Sequence, residues 1–245
     1  MKKYILYILL GLAAVLIVAY FIVDKPLPEG KSGPAADALA KKMLMAINDE
    51  AWQETAVVQW SFPGGHQHVW DKQRHLARVS WDDYEVLVRL NEVTGLAFKE
   101  GIRVDAPQEE QELVQKAWEY WVNDSFWLNA PNKVSDPGVR RQLVVTDQGK
   151  EALLVTYTTG GSTPGDSYLW LVDENGLPYA WQLWVSIIPL GGVEFSWEGW
   201  QTLAGGAKIA TVHQGPLTLN ITDVRAGERV EDILGSDPFQ ALESQ

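Results

Sequence analysis

The stretch TAVVQWSFPGGHQHVWDK, residues 55–72, decides the fold class. On both sides of a Pro63-Gly64-Gly65 turn, every second side chain belongs to the same face. This period of two is typical of two antiparallel strands. One face of this pattern carries Ala56, Val58, Trp60, Phe62, His66, His68 and Trp70. Similar runs at 75–81, 84–90 and 96–99 are separated by turn residues. The first half of the chain therefore predicts an antiparallel meander of about five strands.

Two segments have helical spacing instead. Residues 35–47 repeat apolar side chains every three or four positions, so we expect a helix that packs onto a sheet. Residues 107–122 begin with a proline at a first-turn position and carry one apolar face. We expect this second helix to stop at Asn123 or Asp124 and to be followed by a short turn.

Strand patterns resume after residue 138 and bring the expected total to about eleven. The runs lie at 141–146, 152–158, 167–172, 179–187, 193–203, 208–213 and 217–224. An antiparallel sheet of this size must curl, and its concave side must be filled. The predicted fold class is mainly β with a helical insert (α+β), built as one large curved sheet, an unclosed half-barrel lidded by helices.

The N-terminus predicts a membrane anchor at residues 1–23. Residues 4–23 carry no charge and have the length needed to cross a hydrocarbon core of about 30 Å. Lys2 and Lys3 precede this run, so the positive-inside rule leaves the N-terminus in the cytoplasm. We expect a single-pass protein of the inner membrane, with a Pro/Gly-rich linker at 24–34 and a folded domain at 35–245.

Composition excludes several classes of function. The net charge of −12 argues against nucleic acid as a partner, because phosphate binding depends on Lys and Arg. The chain has no cysteine, which excludes disulfides, thiolate metal sites, thiol nucleophiles and an N-terminal lipid attached to cysteine. Twelve tryptophans in 245 residues fit either a broad core or an apolar cavity.

Three stretches carry a resemblance to a known family. HQHVWDK at 66–72, NDSFWLNAPNKVSDPGV at 123–139 and STPGDSYLWLVDENGLPYAW at 162–181 look like an uncharacterised family of envelope proteins with the periplasmic lipoprotein-carrier fold of the LolA and LolB type. The resemblance covers about residues 36–225. It implies a periplasmic domain with a hydrophobic cavity for an acyl chain, and it implies no reaction and no cofactor. The apparent membrane anchor and the high tryptophan content depart from the soluble carriers, and a tethered receiver, donor or sensor fits them better.

The aromatic side chains are the candidate ligand-binding residues, because alternation on the strands and their position on the insert allow them to converge inside the curl. The predicted set is Trp60, Phe62, Trp70, Trp81, Trp118, Phe126, Trp127, Tyr168, Trp170 and Trp184.

Residues with catalytic or metal-binding potential have simpler explanations. His66 and His68 share a strand face, and His75 offers a third imidazole, but the ligand set is thin and histidines beside a glycine turn account for the pattern. Asp71, Asp82 and Asp83 lie at strand ends and turns, where aspartate bonds to the local backbone. The sequence around Ser162 lacks the nucleophile elbow of serine hydrolases. We therefore predict no catalytic residue and no metal site.

Two functions remain open. The first is a membrane-anchored envelope protein that binds a lipid or another hydrophobic ligand in an aromatic-lined cavity, in transport or sensing. The second is a non-catalytic structural or protein-interaction domain that contacts an envelope protein through a strand edge or an aromatic patch. A void of several hundred Å³ favours the first function, and a solid interior favours the second.

Overall fold

A computed structural model describes residues 24–159 and 163–243. The predicted anchor at 1–23 lies outside the described residues. Among the helices that are described, none is long and apolar enough to cross a membrane.

The first sheet is antiparallel and contains the meander that the opening stretch predicts. Its strands are β1 (Val57–Phe62), β2 (His66–Asp71), β3 (Leu76–Trp81), β4 (Tyr84–Arg89), β5 (Thr94–Lys99), β6 (Ile102–Arg103) and β16 (Thr222–Gly227). Consecutive hairpins join β1 to β6 in chain order, and β16 pairs with the free edge of β1. Val57 lies opposite Gly227, so the two ends of the domain meet in one sheet.

The second sheet holds five of the later strands. They are β7 (Val139–Val145), β8 (Glu151–Tyr157), β9 (Ser167–Val172), β10 (Pro178–Trp184) and β11 (Val193–Ser196), in the spatial order β11-β10-β9-β8-β7. Two short ribbons follow, which pair β12 (Gln201–Thr202) with β13 (Lys208–Ile209) and β14 (Val212–Gln214) with β15 (Thr218–Asn220).

The prediction of one curved sheet with about eleven strands is therefore wrong in its connectivity. The described chain forms two large open sheets, because β6 is only two residues long and the helical insert follows it before β7 begins. Some predicted strands are also divided. The run 193–203 breaks between β11 and β12, where Gly199 adopts a left-handed φ of 63°.

Helices cover the first sheet on both faces. They are α1 (Pro34–Ile47), α2 (Asp49–Glu54), α3 (Pro107–Asn129), a 3-10 turn (Ala130–Lys133), α4 (Val230–Leu234) and α5 (Gln240–Glu243). Val114 and Ala117 of α3 pack with Val79 and Val86 on one face. Val230 and Leu242 of the C-terminal helices, and Phe239 just before the last helix, pack with Val57, Val69 and Leu87 on the other.

Helix α3 is longer than the sequence predicts. It continues through Asn123 and Asp124 and ends at Asn129, so the expected stop after Val122 is wrong. Asn123 and Asp124 both form side-chain hydrogen bonds while they remain within the helix. The apolar residues that follow them in α3 lie between the two sheets. Leu128 belongs to the core beside the first sheet, whereas Trp127 contacts the cores of both.

The inner face of the second sheet is a solid aromatic core. Trp170, Trp181 and Trp197 are fully buried, and their ring centroids lie 4.7–5.0 Å apart. Met43 of α1 and Phe126 of α3 pack against the same cluster. The aromatic side chains here fill the space between α1, α3 and the sheet.

Residues 24–33, which form most of the predicted linker, cross the outer face of the second sheet, and we call them the strap. At one end the Lys25 N–H donates to the Gly191 carbonyl at 3.1 Å. At the other end Lys31 and Leu143 of β7 exchange backbone hydrogen bonds of 2.9 and 2.8 Å. A separate apolar cluster on this outer face comprises Val144, Ala152, Leu154 and Leu169. The strap and α1 therefore enclose the second sheet from opposite sides.

Candidate functional site

Strand β2 directs a row of functional side chains towards helix α3. Alternate residues of a strand point to the same face, and His66, His68 and Trp70 contact Tyr120, Asp124 and Trp121 of α3. Lys72, just beyond the end of β2, continues the row. We call this line of contacts the β2–α3 seam.

One end of the seam is a cluster of two imidazoles and one carboxylate, which we call the latch. His66 Nδ1 and His68 Nε2 each lie 2.7 Å from Oδ2 of Asp124. The second carboxylate oxygen of Asp124 accepts a hydrogen bond of 2.8 Å from the Asn123 amide. Three N–H donors therefore compensate a buried negative charge, which burial would otherwise make costly.

Burial keeps His68 neutral. It lowers the pKa of His68 below the usual 6.5, although the hydrogen bond to Asp124 and its charge act in the opposite direction. The rings are also fixed by stacking: the His68 ring lies 4.5 Å from that of Trp60, and the His66 ring lies 3.8 Å from that of Tyr120. The latch thus ties β2 to α3 through two imidazoles and one carboxylate.

The latch also has the donor set of a metal site. The three ligand atoms lie within 4.8 Å of one another, and two imidazoles with a carboxylate suit a divalent transition ion. His75, which the sequence offered as a third imidazole, is exposed at a turn and is not part of this group. A metal-bound histidine normally donates its second N–H to an acceptor. Nδ1 of His68 is buried and has no partner among the described residues, so the hydrogen-bonded arrangement accounts for the geometry better.

The other end of the seam opens into a cleft of about 430 Å³. It lies where the end of β2 meets α2 and the 3-10 turn. Its lining combines two tryptophans with cationic, amide and acidic side chains: Trp52, Gln53, Thr55, Trp70, Lys72, Gln73, His75, Asn129, Asn132, Lys133 and Asp136.

Lys72 is the central cation of this cleft. Its ammonium donates to the backbone carbonyl of Trp52 and lies 4.2 Å from the Trp52 ring centroid and 5.8 Å from that of Trp70. Burial lowers the pKa of Lys72 to about 8, with Asp49 raising it and Lys133 lowering it further. Its charge therefore changes close to physiological pH, which is unusual for a lysine.

Asn129 and Asn132 supply two of the amide groups of the cleft. Asn132 Nδ2 donates to Asp49 Oδ1 at 2.9 Å, which fixes the 3-10 turn to α2. Asn129 is buried, and its Oδ1 has no hydrogen-bond partner in the described part of the chain. A buried acceptor without a donor is costly.

The predicted aromatic set does not form one cavity. Trp60 and Phe62 belong to a core cluster with Leu128. Trp81 and Trp118 belong to a second cluster under α3. Phe126, Trp127, Tyr168 and Trp170 belong to the core of the second sheet. Of the ten predicted residues, Trp70 alone lines the cleft.

The expected convergence of Trp184 with the other aromatics is wrong. Trp181 and Leu183 point to the inner core, so their neighbour Trp184 points to the outer face. There its Nε1 donates to the Lys25 carbonyl of the strap at 2.7 Å.

The sequence interpretation missed Trp52, Lys72, Asn129 and Asp124 as site residues. One signal was available, because the alternation that placed His66, His68 and Trp70 on one face also includes Lys72. Asp124 and Asn129 carried no such signal, since they were expected to lie beyond the end of α3.

Comparison with known proteins gives only distant likenesses. No protein-family model and no curated protein matches the chain. A DUF1329 family protein from Desulfovibrio piger is similar over 82% of this chain and 97% of its own, at 11% identity and a TM-score of 0.39. An outer membrane lipoprotein-sorting protein domain from Vibrio parahaemolyticus is similar over 79% of this chain and 95% of its own, at 11% identity and a TM-score of 0.33. The second is a domain of the kind that the sequence motifs resemble.

Proposed function

We propose that this protein is a non-catalytic binding protein for a hydrophobic ligand with an anionic head group, such as an acidic lipid. The observation that carries this proposal is the position of Lys72, whose ammonium lies against the ring of Trp52 and near that of Trp70 in a cleft of about 430 Å³. Ligand sites of this size combine apolar walls with a few directed polar groups.

Each part of such a ligand has a partner in the cleft. The ammonium of Lys72, with Lys133 nearby, attracts a phosphate or carboxylate group. The amide side chains of Gln53 and Gln73 in the lining offer hydrogen bonds to the polar part of the ligand. The rings of Trp52 and Trp70 contact the apolar part of the ligand, and burial of that part contributes about 25 cal/mol per Å².

The cleft, rather than the aromatic core, is the binding place in this proposal. The core of the second sheet is filled by Trp170, Trp181 and Trp197. An acyl chain has no room there without displacing fully buried rings.

The membrane anchor at 1–23 is a second part of the proposal. The uncharged run at 4–23 and the lysines before it support a single-pass protein of the inner membrane with its domain in the periplasm. In that position the cleft would meet lipids or lipid-modified proteins of the envelope.

Native mass spectrometry of the full chain in detergent-free amphipol, followed by organic extraction, tests the proposal. We expect a co-purified acidic lipid, or uptake of added lysophosphatidic acid in preference to neutral monoolein. Lys72→Gln should lose the ligand. Lys42→Gln is the matched control, because Lys42 also donates to a backbone carbonyl, that of Glu174, but lies outside the cleft. Equal binding by both variants, or no binding of any lipid by the parent chain, would contradict the proposal.

The packed aromatic core favours the alternative function, an interaction domain of the envelope. An interaction domain should carry no ligand in the cleft and should bind a protein partner. The same mass spectra distinguish the two functions, because a protein partner adds a mass far larger than that of a lipid.

A further inference from the structure

The loop between β10 and β11, residues 185–192, exposes one large aliphatic side chain. Its sequence VSIIPLGG contains no charged residue. Ile187 is 75% exposed, the highest exposure of a large hydrophobic side chain among the described residues. A single exposed aliphatic side chain is ordinary by itself, so the position of this loop in the fold decides what Ile187 meets.

The start of the described chain is fastened to this loop. Asp24 Oδ1 accepts a hydrogen bond of 2.7 Å from the Gly191 N–H, and the Gly191 carbonyl accepts one of 3.1 Å from the Lys25 N–H. Trp184, at the end of β10, adds its indole N–H bond to the Lys25 carbonyl. Gly191 leaves no space for a side chain, since a Cβ there would lie 2.4 Å from that carbonyl oxygen. The junction is therefore a fixed structure.

The fixed junction immediately follows the uncharged run of the sequence. Val23 is the last residue of that run, and Asp24 is the next residue. Successive Cα atoms are about 3.8 Å apart, so no spacer separates the end of the run from the loop. If residues 4–23 cross a bilayer, the β10–β11 loop lies at the bilayer surface.

We propose that the β10–β11 loop contacts the lipid bilayer through Ile187 and sets the orientation of the domain on the membrane. This inference rests on the proposed anchor. Trp184 lies at the base of the loop, and indole rings favour the interface between acyl chains and water. The contact is apolar rather than electrostatic, because the loop lacks Lys and Arg and the chain has a net charge of −12.

The absence of native cysteine allows a direct test with single-cysteine labels. Ile187→Cys and Ile102→Cys are compared in the full chain, because Ile102 is 72% exposed and lies on β6 of the other sheet. Each variant carries a polarity-sensitive fluorophore and is reconstituted into phosphatidylcholine vesicles, with and without nitroxide-labelled lipid. We expect a blue shift and nitroxide quenching for the label at position 187, and neither for the label at position 102.

Flotation of the same vesicles separates the possible failures. A chain that floats but has a water-exposed label at position 187 overturns the bilayer contact and leaves the anchor standing. A chain that does not float overturns both. Equal quenching at positions 187 and 102 overturns the specific role of the loop. Ligand binding at Lys72, measured on the same preparations, reports the proposed function independently of these outcomes.

Discussion

Nε2 of His68 lies 2.7 Å from Oδ2 of Asp124, and this contact joins β2 to α3 at the point where the sequence predicts the helix to end. The partners are far apart in sequence, yet both are almost completely buried. The helix can therefore continue to Asn129 and complete the wall of the cleft, which links the latch to the proposed binding site.

Asp124→Asn should destabilise the protein by about 1–3 kcal/mol, because one of the three N–H donors around the carboxylate would then face an NH₂ group. Urea unfolding followed by circular dichroism measures the change. Asp83→Asn is the control, since Asp83 is exposed and its salt bridge to Lys99 spans 3.8 Å. Equal effects of the two substitutions would show that Asp124 contributes no more to the free energy of unfolding than an exposed carboxylate does.

The protein should lose stability as the pH falls from about 7.5 to 5. Burial lowers the pKa of His213 to about 4, below the unfolded value of 6.5, so the unfolded state binds the proton first. The stabilisation is complete above the unfolded pKa and is lost between pH 6.5 and 4, by about 2 kcal/mol at pH 5 for this residue. His68, whose pKa is also lowered by burial, acts in the same direction.

Urea titrations across this pH range in His213→Gln and His75→Gln check the assignment. The His213 variant should show a flatter pH dependence than the parent chain. The His75 variant should keep the parent profile, because His75 is exposed. If both variants kept the pH dependence of the parent chain, His213 would not account for the loss of stability at low pH.

Binding of an anionic ligand should weaken as the pH rises through about 8. The ammonium of Lys72 loses its proton in that range and no longer attracts the anion. Calorimetric titration with decyl sulfate is suitable, because the charge of the sulfate is constant over these conditions. Lys72→Gln should bind weakly at every pH, and a pH-dependent affinity in this variant would assign the effect to another group.

Gly191→Ala should release one end of the strap. The added methyl group would meet the Lys25 carbonyl oxygen and the Trp184 ring, and overpacking of this kind costs about 1–3 kcal/mol. Hydrogen exchange of the Lys25 amide, which donates to the Gly191 carbonyl, provides the measurement, and we expect faster exchange in the variant. Gly205→Ala is the control, since the nearest atom to its Cβ would lie 3.9 Å away.

Zinc should not stabilise the protein, because the latch already satisfies Asp124 with N–H donors. Thermal unfolding with and without equimolar Zn²⁺ tests this expectation. A rise in Tm that disappears in His68→Gln but persists in His75→Gln would instead establish the latch as a metal site.

The sequence predicts local structure well where the period of the side chains is clear. The meander of β1 to β5 follows from alternation and turn residues, and β9 has the predicted bounds, Ser167–Val172. Alternation shows which residues share a face but not which face is inward. For that reason Trp184 was grouped with Trp170, although the two lie on opposite faces of the second sheet.

The candidate site depends on contacts that no local pattern contains. Asp124 interacts with His66 and His68 only because α3 folds back over β2. The cleft likewise joins Trp52, Lys72 and Asn129 from three separate segments. A helix end predicted at Asn123 or Asp124 instead of Asn129 was enough to remove Asn129 and Asp124 from consideration.

The pairing of β1 with β16 has a consequence for the order in which the molecule is assembled. Val57 and its register partner Gly227 are 170 residues apart (227 − 57), so Val57 emerges long before Gly227 during synthesis. The strap and α1 likewise wait for β7 and the Gly191 loop. Contacts between distant parts of a chain slow folding, because the loop between them must close first. The second sheet can form once Ser196 has been made, but the first sheet stays incomplete until β16 emerges.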